Sequence, residues 1–223
     1  KQKLINYYVY CLVGDGDLME GVAEEAASLA GNLALDNLIV LYDSNDITLD
    51  GPLEKSSKDE IIQKFVNKGW EVDFVAEGND IREIDKAIER AKVNKKPTLI
   101  EVKTVIGRGS YNEGKNLVHG KPLSTEDLVN VRKKYQIETN MMEITEDAVN
   151  YVRKTIASRM GNKYENWYKD VEITRNTIQS ERLNSILDFV QTGVDGLHFS
   201  SSNFKIQSDY NEELRESNSK IMN

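Results

Sequence analysis

At 223 residues and 25.3 kDa the chain is long enough for one well-packed core with an appendage. Its 39% hydrophobic and 30% charged residues place it outside the disordered range, and a net charge of −8 argues against nucleic acid as a partner. The sequence holds no long apolar run, leader or polybasic anchor, so no membrane partner is expected, and one cysteine, Cys11, excludes an internal disulfide and fits a reducing cytoplasm. Residues 7–13 (YYVYCLV) read as a buried strand, with Cys11 as a small apolar filler. Gly14-Asp15-Gly16 cuts the run and leads into a helical pattern, the mark of a turn too tight for side chains. Such a turn aims N–H groups and the positive end of a helix at one spot, which suits an anion. The acid inside it, Asp15, would repel that anion unless a divalent cation lies between carboxylate and diphosphate. A metal-bridged diphosphate is therefore expected. The sequence opens almost directly on a strand, so covering material is expected upstream.

Residues 19–35 read as a helix with Met19, Val22, Ala23, Ala26, Leu29, Ala30 and Leu33 on one face. Residues 38–42 (LIVLY) form a second buried strand one βαβ unit later, ending in a polar loop over 43–51. A short helix over 58–68, a strand over 70–76, a helix over 80–94 and a strand from Thr98 to Val105 follow. The alternation predicts an α/β fold with a doubly wound parallel sheet, whose ligands sit at the carboxyl edge. The glycine-punctuated loop over 106–120 follows a strand and belongs at that edge. Ser124-Thr125-Glu126-Asp127 caps a helix to about Tyr135. Residues 145–189 read as two or three helices broken near Gly161, residues 193–209 as a linker, and residues 211–223 as one more helix. The expected organisation is an α/β domain over 1–140 and a helical connector over 141–223.

A dinucleotide fold needs a third glycine where Met19 stands, and Asp43 is at best a loose ribose ligand. No Walker A loop is present. The better reading pairs Gly14-Asp15-Gly16 with the Asn45-Asp46-Ile47 loop. Asp15, Asn45 and the Ile47 carbonyl offer three hard oxygen donors suited to Mg²⁺ or Ca²⁺.

The flanking blocks make a resemblance specific. GDGDLMEGV from Gly14, EAASLAG from Glu25, LIVLYDSNDITLDG from Leu38, GWEV from Gly69, KPTLIEV from Lys96, TVIGRGS from Thr104 and VHGKPL from Val118 resemble the thiamine-diphosphate domain of transketolase over residues 6–135. The helical stretch with Trp167 resembles that family's connector. The resemblance implies a thiamine-diphosphate- and Mg²⁺-dependent transfer of a two-carbon ketol group from a ketose phosphate to an aldose phosphate, as in the pentose phosphate pathway. It implies that Asp15, Asn45 and the Ile47 carbonyl hold the metal. Gly14 and Gly16 then border the diphosphate, with the Gly16 N–H open to it, and Leu49 and Ile106 pack on the cofactor rings. Glu20 resembles an acid in a carboxylate network across the homodimer interface. His119 resembles the histidine that contacts the diphosphate and moves a substrate proton, whereas His198 has no matching block.

Two departures stand out. Arg108 replaces a frequent aromatic and reads either as a sugar-phosphate contact or as a solvated side chain, and the loop lacks a histidine found in some members. The resemblance also implies histidines upstream of Lys1 and an activating glutamate from a second α/β domain of the partner subunit. The chain by itself is therefore expected to be inactive. The alternatives are a deoxyxylulose-phosphate synthase, a 2-oxo acid dehydrogenase first component, or a non-catalytic metal and diphosphate module.

Overall fold

The computed structural model describes residues 6–140, 142–177 and 184. In chain order the first unit contains β1 (Val9–Gly14), α1 (Gly21–Asn32), β2 (Leu38–Ser44), the two-residue strands β3 (Ile47–Thr48) and β4 (Gly51–Pro52), α2 (Ile61–Asn67), β5 (Glu71–Val75), α3 (Ile81–Ala91), β6 (Thr98–Lys103) and α4 (Thr125–Lys134). Strands β1, β2, β6 and β5 lie side by side in that order, every pair parallel. The chain is α/β, with a four-stranded parallel sheet covered by helices.

The side-chain period of two sorts the central strands between two faces. Val40 and Tyr42 of β2 and Leu99 of β6 join Ala27 and Ala30 of α1, Phe65 of α2 and Trp70 in one core. Ile39 of β2 and Ile100 and Val102 of β6 join Val75 of β5 and Ala87 and Ala91 of α3 in the other. With both faces covered, every residue of LIVLY has a core to enter, and so the run is apolar throughout. Trp70 stacks edge-on to Phe65 with centroids 4.9 Å apart and donates its indole N–H to the Ala27 carbonyl at 2.9 Å. Gly31 is what lets α1 come this close. A Cβ there would lie 1.8 Å from the Lys68 carbonyl oxygen.

Three expectations are corrected. β1 is not buried: it lies at one end of the sheet with Val9, Tyr10 and Leu12 exposed, Leu12 at 81%, and Cys11 is exposed with them. Its sequence is as apolar as β2's, but β2 lies between two strands and β1 pairs on one side only. The apolar face assigned to the first helix is turned as well. Met19, Val22, Leu29 and Leu33 are exposed, and α1 packs through Ala27 and Ala30, because close approach at Gly31 selects the small-residue side. Lastly, the Gly14-Asp15-Gly16 turn is not too tight for side chains. Gly16 has φ −65° and ψ −40°, ordinary right-handed values, and it leads into a short 3₁₀ turn over Asp17–Met19 rather than directly into the helix.

The second unit starts at Asn150 and holds most of α5 (Glu146–Met160) together with α6 (Lys163–Thr177), separated at Gly161 with φ +35°. That break and those two helices fall where the sequence expects them. The remainder of the expected helices to residue 189, the 193–209 linker with His198, and the 211–223 helix lie outside the described residues. Among the described residues no helix is long and apolar enough to cross a membrane.

Candidate functional site

Because the sheet is parallel, the loops after β1, β2, β5 and β6 leave from one edge. Asp15, one residue past β1, is 4% exposed. Its carboxylate is held from β2: the Tyr42 hydroxyl donates to Oδ1 at 2.5 Å, and the N–H groups of Asn45 and Asp46 donate to Oδ2 at 3.2 and 2.9 Å. Asp46 itself takes the left-handed conformation, φ +62°, just before the Ile47 turn. Burial, and then the bond to Asp15, push the Tyr42 phenol well above the usual tyrosine range. Tyr42 is therefore a committed donor to Asp15.

The other two expected ligands lie beside it. The Asn45 side-chain oxygen accepts the Ile47 N–H at 3.0 Å, an Asx turn that fixes the amide and leaves the oxygen a free lone pair. β3 and β4 form a small hairpin in which Leu53 N–H donates to the Asp46 carbonyl at 2.8 Å and Ile47 lies opposite Pro52. Ile47 and Pro52 are thus a non-hydrogen-bonded pair, so the Ile47 carbonyl points away from the hairpin partner. Sequence reasoning treated this hairpin as loop; its two-residue turn is Leu49-Asp50, which carries none of the usual hairpin-turn pairs.

The glycine-rich loop reaches the hairpin through Asn116, whose side-chain amide donates to the Leu49 carbonyl at 3.3 Å. Leu49 is 66% exposed and Ile106 half-buried. His119, three residues beyond Asn116, has its Nδ1 buried and without a hydrogen-bond partner among the described residues. Glu20 is exposed at the start of α1, where its carbonyl accepts the Ala23 N–H at 3.1 Å. Gly14 donates its N–H to Asp17 Oδ2 at 2.8 Å, so that amide is spent within the turn. Among the described residues the Gly16 N–H has no partner. The Arg108 guanidinium, at the surface, pairs with the Glu77 carboxylate at 2.8 Å. The Glu77 carboxyl is held below the usual range by Asn79 and then by Arg108.

A second layer escaped the sequence reading. Lys103 donates to Asp46 Oδ2 at 2.9 Å and to Ser44 Oγ at 3.0 Å, and Ser44 Oγ donates to Glu101 Oε1 at 2.8 Å. These partners are nearly 60 residues apart and are neighbours only through the β2–β6 register, where Ser44 faces Lys103.

The donor set fits a hard divalent cation. Among the described residues no three His, Cys, Asp or Glu side chains converge, and the set is one carboxylate, one amide oxygen and one carbonyl. The residues also fit a ligand that approaches the backbone. Gly16 needs no glycine for its conformation or its packing, since a Cβ there would meet nothing within 4 Å.

The family model "Transketolase, thiamine diphosphate binding domain" matches residues 1–190. A transketolase of Staphylococcus epidermidis is 47% identical over 166 residues, 74% of this chain and 25% of that protein. The transketolase of Bacillus subtilis is 56% identical over 126 residues, 56% of this chain and 19% of that protein. Among solved structures, transketolase from Leishmania mexicana superposes with a TM-score of 0.76 at 34% identity, covering 84% of this chain and 28% of that one. The Pichia stipitis transketolase in complex with sedoheptulose 7-phosphate gives 0.74 at 32%, with the same coverage. The chain therefore spans about a quarter of the length of the curated relatives it matches. It belongs to the transketolase family, through that family's thiamine-diphosphate-binding domain.

Proposed function

We propose that this chain supplies the metal and diphosphate half of a transketolase active site, and that the whole protein moves a two-carbon ketol group from a ketose phosphate to an aldose phosphate. The observation that carries the reading is Asp15. It is a carboxylate buried to 4% exposure, joined by no salt bridge among the described residues, and fixed beside Asn45 by three neutral donors. Removing a carboxylate from water without a cation is costly, and a divalent ion on its free lone pair meets that cost. Asp15, Asn45 and the Ile47 carbonyl would hold Mg²⁺, with Ca²⁺ as a substitute. Gly16 would let the diphosphate lie against the backbone, and Leu49 and Ile106 would shield the rings from water. His119 would contact the diphosphate through its unpartnered Nδ1 side and hold a proton at the sugar hydroxyl. When bound, thiamine diphosphate supplies the carbon nucleophile and electron sink that no side chain offers.

Sugar phosphates are the substrates assigned to this protein, in keeping with the ligand of the Pichia stipitis structure. We assign residues 1–140 to the diphosphate-binding domain and residues 141–223 to a connector toward a second domain. A homodimer brings the activating glutamate, with Glu20 at the interface. Turnover, in the cytoplasm, then belongs to the whole protein, and these residues alone bind without transferring.

Calorimetric titration with thiamine diphosphate and Mg²⁺ tests the reading. Binding is expected to disappear on chelating the metal and to weaken at least about tenfold, or ~1.4 kcal/mol, in Asp15→Ala and in Asn45→Ala. Binding that is indifferent to the metal or to Asp15→Ala would sink the assignment.

A further inference from the structure

The helix after the glycine-rich loop does more than end the fold. Ser124 Oγ accepts the Asp127 N–H at 3.2 Å, the first half of a capping box. In the full box the residue at Asp127's position turns its side chain back to the cap. Here the carboxylate instead leaves the helix for the loop. Its Oδ2 accepts the Ser110 hydroxyl at 2.5 Å and its Oδ1 the Tyr111 N–H at 3.0 Å, and it is 4% exposed. Ser110 Oγ in turn accepts the Asn112 N–H at 3.0 Å, so this hydroxyl is used as both donor and acceptor.

Two more residues of α4 and its end grip the same stretch. Asn130 donates to the Gly109 carbonyl at 3.0 Å, and the Tyr135 hydroxyl donates to the Arg108 carbonyl at 3.2 Å. Gly109, at φ +95°, lies under the Tyr135 ring, where a Cβ would come within 2.7 Å of it. From Asn112 the connection runs on toward His119. Lys115 N–H donates to the Asn112 carbonyl at 3.1 Å, and His119 N–H donates to the Asn116 carbonyl at 3.1 Å. Gly114 N–H closes the loop on the Ile106 carbonyl at 2.9 Å, and Gly107 packs under Val118.

We propose that α4 is a clasp on the glycine-rich loop and that Asp127 is its positioning residue, which holds Ile106 and His119 in place for the cofactor through Ser110 and Tyr111. The inference rests on the cofactor reading given above. The physical reason is entropic: a loop of some fifteen residues with four glycines would otherwise sample many conformations before each binding event. Asp127's carboxyl is held below the usual range chiefly by the Ser110 hydroxyl, so the acceptor is ionised at neutral pH and the bonds are charge-assisted.

The test uses the full chain with Ser110→Ala, Asp127→Ala and the double variant, and with Glu126→Gln on the exposed neighbour as control. The chain has two histidines, so the His119 imidazole can be assigned by NMR. Its resonances are expected to move in Ser110→Ala and Asp127→Ala and to stay in Glu126→Gln. Thiamine-diphosphate affinity in the presence of Mg²⁺ is expected to fall about tenfold in each single variant, the effect of losing one charge-assisted hydrogen bond. The double variant should fall little further, because both act through one contact. Unchanged His119 resonances in both single variants, or unchanged affinity despite moved resonances, would overturn the positioning role while leaving the cofactor reading intact. No binding by the unsubstituted chain would overturn both. If Asp127→Ala fails to fold, Ser110→Ala with Asn130→Ala decides by the same readouts.

Discussion

Asp15 and Tyr42 form a unit in which the carboxylate holds the proton on the phenol. The carboxylate tolerates burial because a phenol and two amides solvate it, and the phenol resists ionisation because it is buried against a negative charge. A phenol raised in the folded state contributes stability in full below about pH 10, its unfolded value, and loses it as pH rises through the folded one. In an ultraviolet titration, the first step, seen before alkaline unfolding, is expected to exclude Tyr42, which stays neutral until the fold opens. Tyr42→Phe should leave the first step undiminished; a smaller step would show that Tyr42 titrates normally. That the loops of Asp15 and of Asn45 and Ile47 share one edge of the sheet was legible from sequence, because the strand–helix–strand spacing is local. Tyr42 was not, because its place beside Asp15 follows from the β1–β2 register, which sets Val13 against Tyr42.

At the scale of elements, the close contact of α1 with the turn before β5 rests on Gly31. Replacing a helical glycine by alanine ordinarily gains about 1 kcal/mol of propensity. Here the new Cβ would enter the Lys68 backbone carbonyl at 1.8 Å, which a rotamer change cannot relieve. Overpacking of this kind costs about 1–3 kcal/mol and outweighs the gain. Gly31→Ala is therefore expected to lower the melting temperature by about 2–6 °C, measured by thermal unfolding, and an unchanged or raised value would refute the close-approach argument. The strands and helices were legible because apolar runs and their spacing report local periodicity. The face on which α1 packs was not. Met19, Val22, Leu29 and Leu33 outweigh Ala27 and Ala30 in hydrophobicity, but the fold chose by size. Asp127 shows the same limit, since its capping position was readable and the loop its side chain serves was not.

For the molecule as a whole, both faces of the sheet are filled at its central strands, and the β1 edge is open. Val9, Tyr10 and Leu12 on β1 and Val22, Leu29 and Leu33 around α1 are large, apolar and exposed. Such surface binds hydrophobic dyes and promotes association. The chain is expected to enhance the fluorescence of an anilinonaphthalene dye, and Leu12→Lys, on the most exposed of these positions in β1, should reduce that signal without lowering the melting temperature. An unaltered dye signal would mean that this flank is covered in solution.

The strand order also decides what chain connectivity asks of the site. Val9 meets Leu38 and Glu71 meets Thr98 across fewer than 30 residues, each within a compact βαβ unit. Ile39 meets Thr98 across 59 residues. That join closes the longest loop and costs the most chain entropy. Ser44, Asp46 and Lys103 meet across it, beside the amides that hold Asp15. The geometry around Asp15 is thus tied to the most entropically expensive contact in the sheet, and it assembles only when the two halves of the domain have come together.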